Sequence, residues 1–164
     1  MRSRSQFATI AVAIAGIFAL AACGSDQAAN DRQATVASIG AQVMPFDLTK
    51  TTHTFKKTAD GGHQLVTAND PADTEQTTLI RQHLRDEQAN FTKGNYDDPA
   101  RIHGMNMPGV SELAAGYHHI TVTYQHQPAG GELDYRSDDP ALVTALHAWF
   151  DRQVMDHGDH ARPG

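Results

Sequence analysis

Alternating segments and one strong helical stripe organise the hydrophobic positions of the chain. Residues 51–57 alternate and are rich in β-formers, Gly61-Gly62 marks a turn, and residues 63–67 return, which predicts a β-hairpin. The pattern recurs 69 residues further on, where segments 120–126 and 132–136 flank a second glycine pair. We therefore predict a second hairpin. The repeated pattern is explained equally well by a true internal duplication and by chance recurrence.

Each predicted hairpin leads into an Asp-Pro-Ala triplet, at 70–72 and at 139–141. Aspartate is a common helix N-cap and proline suits the first helical position, so we predict helices over about 72–91 and 141–157. The second helix has the stronger stripe, with these residues at helical spacing: Leu142, Val143, Leu146, Trp149, Phe150 and Val154.

The element order ββα, connector, ββα predicts an α+β domain. Two hairpins side by side make a four-stranded antiparallel sheet, and the two main helices cover its apolar face. Candidates for that face are Phe55, Leu65, Val122 and Tyr124. The connector, residues 94–116, contains a third Asp-Pro-Ala triplet at 98–100 and is expected to end in a short helix over about 110–115.

The first 22 residues have the pattern of a secretory signal. Arg2 and Arg4 precede an apolar run over residues 7–22, which is shorter than the roughly 20 residues of a membrane-spanning helix. The run ends in Leu20-Ala21-Ala22-Cys23, which resembles a bacterial lipobox. That resemblance implies lipidation at Cys23 and a cell-envelope protein held by its lipid, facing the periplasm or the exterior. A plain signal peptide and an uncleaved anchor are the alternatives.

Composition sets the expected domain boundaries. Residues 23–43 are rich in Ala, Gln, Asn, Asp and Ser and contain no aromatic residue, so we predict a flexible tether there. A single α+β domain is expected over residues 44–158, followed by a disordered tail at 159–164.

Charge and cysteine content exclude several function classes. The 164 residues include 13 Lys and Arg, 19 Asp and Glu, and one cysteine. Two basic residues and no acidic one fall within residues 1–22, so the chain from Cys23 onward has a net charge of −8. Such a chain is not expected to bind nucleic acid, which requires a basic face. A single, lipidated cysteine leaves no disulfide, no cysteine-rich zinc site and no thiol nucleophile.

Ten histidines make metal binding the first chemical hypothesis. His103, Met105 and Met107 fall within five residues of a loop bounded by glycine and proline. Imidazole combined with soft thioethers favours Cu(I), with Zn(II) as the second choice. The alternative is an ordinary loop whose two methionines pack beneath it.

Three further histidines compete for the remaining ligand positions. His83 shares a helix face with Glu87, four residues on, and could equally belong to a surface pair. His147 lies on the apolar stripe and has the alternative of a core histidine, and His157 that of a residue suited to a helix C-terminus. His147 and His157 are separated by about 15 Å of helix, so they do not bind one ion together.

Several motifs resemble a set of small bacterial proteins of uncharacterised function, over about residues 44–158. They are Met44-Pro-Phe-Asp-Leu48, Ile102-His-Gly104, Met107-Pro-Gly109, and His147-Ala-Trp-Phe150 with Gln153 and Asp156-His-Gly158. Some members of that set carry the label aspartate carbamoyltransferase. Catalytic chains of that enzyme are far longer, have two α/β domains, and hold carbamoyl phosphate with a Ser-Thr-Arg-Thr-type loop that is absent from this sequence. The resemblance singles out His103, His147 and His157 and implies no role for them.

The leading hypothesis is a non-enzymatic envelope lipoprotein that binds copper, or else zinc, through the 103–107 loop and one or two further histidines. The alternative is a metal-free binding or interaction module with structural or pH-sensing histidines. A small-molecule enzyme ranks third, because no nucleophile elbow, P-loop, dinucleotide fingerprint or His-Glu-x-x-His motif occurs in the chain.

Overall fold

The computed structural model describes the backbone of residues 19–164 and the side chains of residues 26–164. The expected signal peptide, residues 1–22, lies outside the described residues except for its last four. Within the described part, no helix has both the length and the apolar character needed to cross a membrane.

Residues 19–164 form five α-helices and one sheet of five strands, and the expectation of an α+β protein is confirmed. The helices are α1 (Ala19–Val43), α2 (Thr74–Phe91), α3 (Asp97–His103), α4 (Val110–Ala115) and α5 (Pro140–His157). The strands are β1 (Thr51–Thr58), β2 (Gly61–Ala68), β3 (Thr121–Gln127), β4 (Gly130–Arg136) and β5 (Ala161–Pro163). Single turns of 3-10 helix occupy Leu48–Lys50, Tyr117–His119 and Gly158–His160.

The strand order is β3-β4-β2-β1-β5. Both predicted hairpins form, and β2 and β4 join them in antiparallel register with Gln64 opposite Leu133. The fifth strand lies parallel to β1, with His53 opposite Ala161. The sheet is therefore mixed: the four predicted strands pair antiparallel as expected, but a sheet of only four strands is wrong, because the fifth strand adds a parallel edge. The predicted disordered tail is also wrong, because β5 is built from it; three residues, one of them proline, carry no alternating pattern from which a strand could be read.

The segment predicted as a flexible tether, residues 23–43, belongs to helix α1. Alanine has the highest helix propensity, and an Ala-rich segment can be helical without an apolar stripe. Side chains 26–31 are exposed, Arg32 is partly buried, Val36 is buried, and α1 contacts both α3 and α5. The tether prediction is corrected accordingly, and the folded unit extends beyond residues 44–158 at both ends.

Helices α2 and α5 cover one face of the sheet, as predicted. That face and the two helices contribute a single hydrophobic core, which includes Phe55, Val66, Val122, Leu133, Tyr135, Ile80, Leu84, Phe91, Trp149 and Phe150. Leu65 is partly exposed and lies outside this core, contrary to expectation. Side chains alternate along a strand, so the buried Val66 places its neighbour Leu65 on the opposite, open face.

The three Asp-Pro-Ala triplets occupy different structural positions. Asp139 caps α5 as predicted, with its carboxylate accepting from the Ala141 amide. The N-cap of α2 is Asp73 instead of the predicted Asp70, whose carboxylate closes a turn with the Ala72 amide. The third triplet lies inside α3, a helix that the sequence pattern did not predict.

The connector packs tightly against α5, and the short helix predicted near 110–115 is confirmed as α4. Gly109 precedes it in a left-handed conformation, at φ +80°. A Cβ there would lie 2.0 Å from the Ala145 carbonyl oxygen, so only glycine permits this approach.

Candidate functional site

Three buried histidines from distant parts of the chain pack together beneath α1. His53 points inward from β1, His103 ends α3, and His157 ends α5. The rings of His53 and His157 are parallel, with centroids 5.2 Å apart and planes inclined by 4°. His103 meets His157 edge-on at 5.0 Å and 76°. We call these three residues the histidine cluster.

Asp156 closes one side of the histidine cluster. Its carboxylate accepts a hydrogen bond from Nδ1 of His103 at 2.9 Å, which makes Nδ1 the protonated nitrogen of the neutral ring. The Arg32 guanidinium donates to both carboxylate oxygens at 2.6 Å, and Arg152 adds a contact at 3.0 Å. One buried carboxylate therefore holds an imidazole and two guanidinium groups.

Arg32 connects this arrangement to the N-terminal helix. In addition to Asp156, its guanidinium donates to the His103 backbone carbonyl at 3.0 Å. The neighbouring Gln33 donates to the Met155 carbonyl at 2.9 Å. Helix α1 is thus fastened to the domain by polar contacts that converge on the histidine cluster.

Burial lowers the pKa of every member of the histidine cluster. The pKa of His53 falls from 6.5 to about 4, first through desolvation and then through the charge of His83. The pKa of His157 lies well below its usual value, because of desolvation and then the proximity of His53. Desolvation also lowers the pKa of His103, although its hydrogen bond to Asp156 opposes the shift. The three rings are therefore neutral at pH 7.

These directions fix the sign of a pH effect on stability. Above pH 6.5 the rings are neutral in both folded and unfolded chains, and they contribute no difference. Below pH 6.5 the unfolded chain binds protons that the folded chain does not, so stability falls with acidification. For His53 this loss runs from pH 6.5 down to about pH 4.

Of the six metal ligands proposed from sequence, His103 and His157 have rings in contact, and His103, Met105 and Met107 line a common depression. Met107 is buried in the hydrophobic core, Met105 is exposed, and the Nδ1 of His103 is taken by Asp156. His83 packs edge-on against Phe46 at 5.5 Å. Among the described residues, no group of three His, Cys, Asp or Glu side chains is arranged to hold a metal ion.

His147 lies apart from the histidine cluster and forms a hydrogen bond with the sheet. Its Nε2 donates to the Gly61 carbonyl at 2.9 Å, at the turn between β1 and β2. This contact fits the structural alternative given for His147 from the sequence.

His53 is the member of the cluster that sequence reasoning missed. A signal was present: it alternates in phase with Phe55, which was expected to face the core. In the structure both are buried, and His53 Nδ1 has no hydrogen-bond partner. The alternation that places Phe55 in the core therefore also predicts that the imidazole of His53 is buried.

Glu87 is a second buried titratable group, away from the histidine cluster. Its carboxyl group lies within hydrogen-bond reach of Asp98 and accepts weakly from Asn90 at 3.5 Å. Desolvation, followed by the charge of Asp98, raises the pKa of Glu87 from 4.5 to about 8. Between those pH values the unfolded chain releases a proton that the folded chain keeps, so Glu87 lowers stability as pH rises.

Glu87→Gln is therefore expected to stabilise the protein by about 3 kcal/mol at pH 7.5 and to change little at pH 5. Glutamine has nearly the same shape, and its amide can still donate to Asp98. Urea unfolding at the two pH values measures the difference, with Glu75→Gln, exposed on the same helix, as the control. A variant that is less stable than wild type at both pH values would contradict the pKa assignment.

Comparison with known proteins finds no match: no family model fits the chain, and no curated protein or solved structure is similar to it.

Proposed function

We propose that this protein is a lipoprotein, anchored at Cys23 in a cell-envelope membrane, and that its domain is a metal-free binding module with pH-sensing histidines. The observation that carries the proposal is the contact of Arg32 with Asp156 and His103, which ties the helix leading from Cys23 to the histidine cluster. Proton binding at the histidine cluster would then weaken the docking of α1, the helix that carries Cys23, on the rest of the domain.

The course of α1 supports this role. The helix includes Cys23 and continues without interruption into the part docked on the domain. Arg32 is nine residues after Cys23, about 13 Å along a helix. A lipid on Cys23 would therefore lie close to the polar contacts that hold α1, and their strength would govern how the domain is presented to the membrane.

The expected response to acid follows from the packing of the rings. Protonation of His53 or His157 places a cation in desolvated surroundings, beside the other ring and close to His103 and His160. Asp156 is the buried carboxylate of this site. It does not neutralise the new charge, because its oxygens already accept hydrogen bonds from Arg32 and Arg152. The new charge is relieved most easily by separation of α1, which is held chiefly by polar contacts.

Hydrogen exchange of the lipidated protein at pH 7.5 and 5.5, corrected for intrinsic rates, tests this role. We expect α1 beyond residue 32 to lose protection at pH 5.5 before the sheet does, by about 1 kcal/mol from His53 alone and by more because the pKa values of His103 and His157 are lowered too. His53→Phe, which keeps an aromatic ring and removes its titration, should weaken the response. His126→Phe, at an exposed position, should leave it unchanged. Equal protection of α1 at both pH values would reject the proposal.

The anchor is tested separately, by labelling cells with a fatty-acid analogue. Wild-type protein should incorporate the label and partition with membranes, and Cys23→Ala should do neither. Equal labelling of the two proteins would reject lipidation at Cys23 without touching the pH response of the domain.

Metal binding is the second candidate, favoured by the three neutral imidazoles packed together and by the unpartnered Nδ1 of His53. Neutral imidazole is the form that binds copper and zinc. Anaerobic Cu(I) and Zn(II) titration of wild type, His103→Ala and the Met105→Ala/Met107→Ala double variant tests it. Affinity lost only in His103→Ala would assign a metal to the histidine cluster; loss in both variants would assign it to the loop; and no binding would leave the metal-free module.

A further inference from the structure

A surface depression of about 430 Å³ opens beside the point where α1 meets the domain. Arg32, Arg152 and His103 line one side of it, and the loop 104–108 lines the other. Both guanidinium groups bind Asp156 beside the histidine cluster, and both also reach solvent in this depression.

The depression carries an excess of positive charge at its surface. Arg32 and Arg152 share one carboxylate, that of Asp156, so one of the two positive charges remains uncompensated. The Asp156 side chain is 1% exposed, whereas those of Arg32 and Arg152 are 39% and 26% exposed. The anion is therefore buried beneath the cations, and an incoming ligand meets guanidinium groups that still have free N–H donors.

Two exposed methionines border these arginines. In the part of the chain whose side chains the structure describes, Met105 and Met155 are the large hydrophobic residues that stand exposed, by 85% and 62%. Met105 lines the depression, and Met155 follows Arg152 by one helical turn on α5. Flexible apolar side chains next to guanidinium groups match the boundary between lipid headgroups and acyl chains.

We propose that this depression binds the phosphate of an anionic phospholipid headgroup in the membrane that carries the anchor, an inference that rests on lipidation at Cys23. Arg32 and Arg152 contact the phosphate, and Met105 and Met155 enter the headgroup layer. The chain from Cys23 onward has a net negative charge, so an anionic membrane repels it as a whole. The local positive charge of Arg32 and Arg152 counteracts that repulsion at this one site. Tethering compensates for weak affinity, because the lipid anchor keeps the site at a high effective concentration of headgroups.

An environment-sensitive fluorophore on Met105→Cys reports docking in the full lipidated protein. Cys23 is the single native cysteine and is blocked by its lipid, so the label has one position. The protein is reconstituted in vesicles of phosphatidylcholine, with or without a quarter of phosphatidylglycerol. We expect a blue shift and a rise in intensity only with phosphatidylglycerol, and neither for the same label on Thr123→Cys, exposed on the far edge strand.

Charge variants identify the site. Arg152→Gln should reduce the docked-to-undocked ratio about fivefold, the equivalent of ~1 kcal/mol for one basic residue at an anionic surface. Arg152→Lys should retain most of the docking, and so should Arg85→Gln, which removes the same charge from α2. Docking that is insensitive to phosphatidylglycerol, or equally reduced by Arg152→Gln and Arg85→Gln, would overturn the proposal.

Inorganic phosphate distinguishes the source of the anion. Added to the protein in phosphatidylcholine vesicles, it should not reproduce the fluorescence change; a full, Arg152-dependent change would assign the depression to a soluble phosphate and overturn the headgroup proposal. Mass spectrometry of the same sample establishes whether Cys23 is acylated. An unacylated chain would reject the anchor, whereas an acylated chain without docking would reject the headgroup site alone.

Discussion

Replacing Asp156 with alanine is expected to lower the free energy of unfolding by about 3 kcal/mol at pH 7.5. The carboxylate is buried and accepts from Arg32, Arg152 and His103, so its removal leaves three donors without their acceptor. Loss of one partner of a buried ion pair costs about 3–5 kcal/mol, and the lower end applies here because both guanidinium groups can reach solvent. Chemical denaturation, followed by far-UV circular dichroism, measures the change.

Asp151→Ala is the matched control for this variant. Asp151 lies on the same helix and pairs with Lys57, but both side chains are well exposed, at 62% and 40%. An exposed ion pair contributes less than about 1 kcal/mol, so this variant should unfold nearly as wild type does. Similar losses in the two variants would show that the contacts of Asp156 with α1 contribute no more than a surface pair.

Trp149→Ala is expected to cost about 3–5 kcal/mol of unfolding free energy. The indole is buried at the centre of the core and makes edge-on contacts with Phe91, Tyr96 and Tyr135 at 5.7–5.9 Å. Its Nε1 has no hydrogen-bond partner, so the substitution removes packing and leaves no new polar group unsatisfied. Urea unfolding at pH 7.5 measures the loss.

Met155→Ala on the same helix controls for a general effect of truncation on α5. Met155 is exposed, so its loss should change stability by less than about 0.5 kcal/mol. If Trp149→Ala were as mild as Met155→Ala, the core would be able to collapse around the missing ring, and the central position assigned to Trp149 would be wrong.

The position of α1 explains why the composition of residues 23–43 misled the sequence interpretation. An apolar stripe in the sequence of a helix indicates which face packs against the core. Helix α1 has no such stripe, because it buries few hydrophobic side chains, Val36 among them. Its docking depends instead on Arg32 and Gln33, whose partners lie between 71 and 124 residues further along the chain. Nothing in the local pattern distinguishes such an arginine from any solvated one.

The candidate site could be predicted only in part, for a related reason. His103 and His157 were singled out within short motifs, and their burial brings them together. The proposed convergence of Met105 and Met107 on His103 stays a prediction: the three residues line one depression, but Met107 is buried in the core and Met105 is exposed. Proximity in sequence places the three side chains on one loop, and core packing decides which of them is buried.

The sequence by itself determined the local elements: two hairpins, two long helices, the Asp139 cap, and the stripe of α5 that carries Trp149 and Phe150. Turn chemistry, capping and side-chain periodicity act over a few residues, so they can be read without the fold. Tertiary structure alone decided the parallel pairing of β5, the docking of α1, and the packing of His53, His103 and His157 against one another. Those features join residues about 50 to 120 positions apart, and they arise only when the covered sheet and helices fix which side chains are excluded from water together.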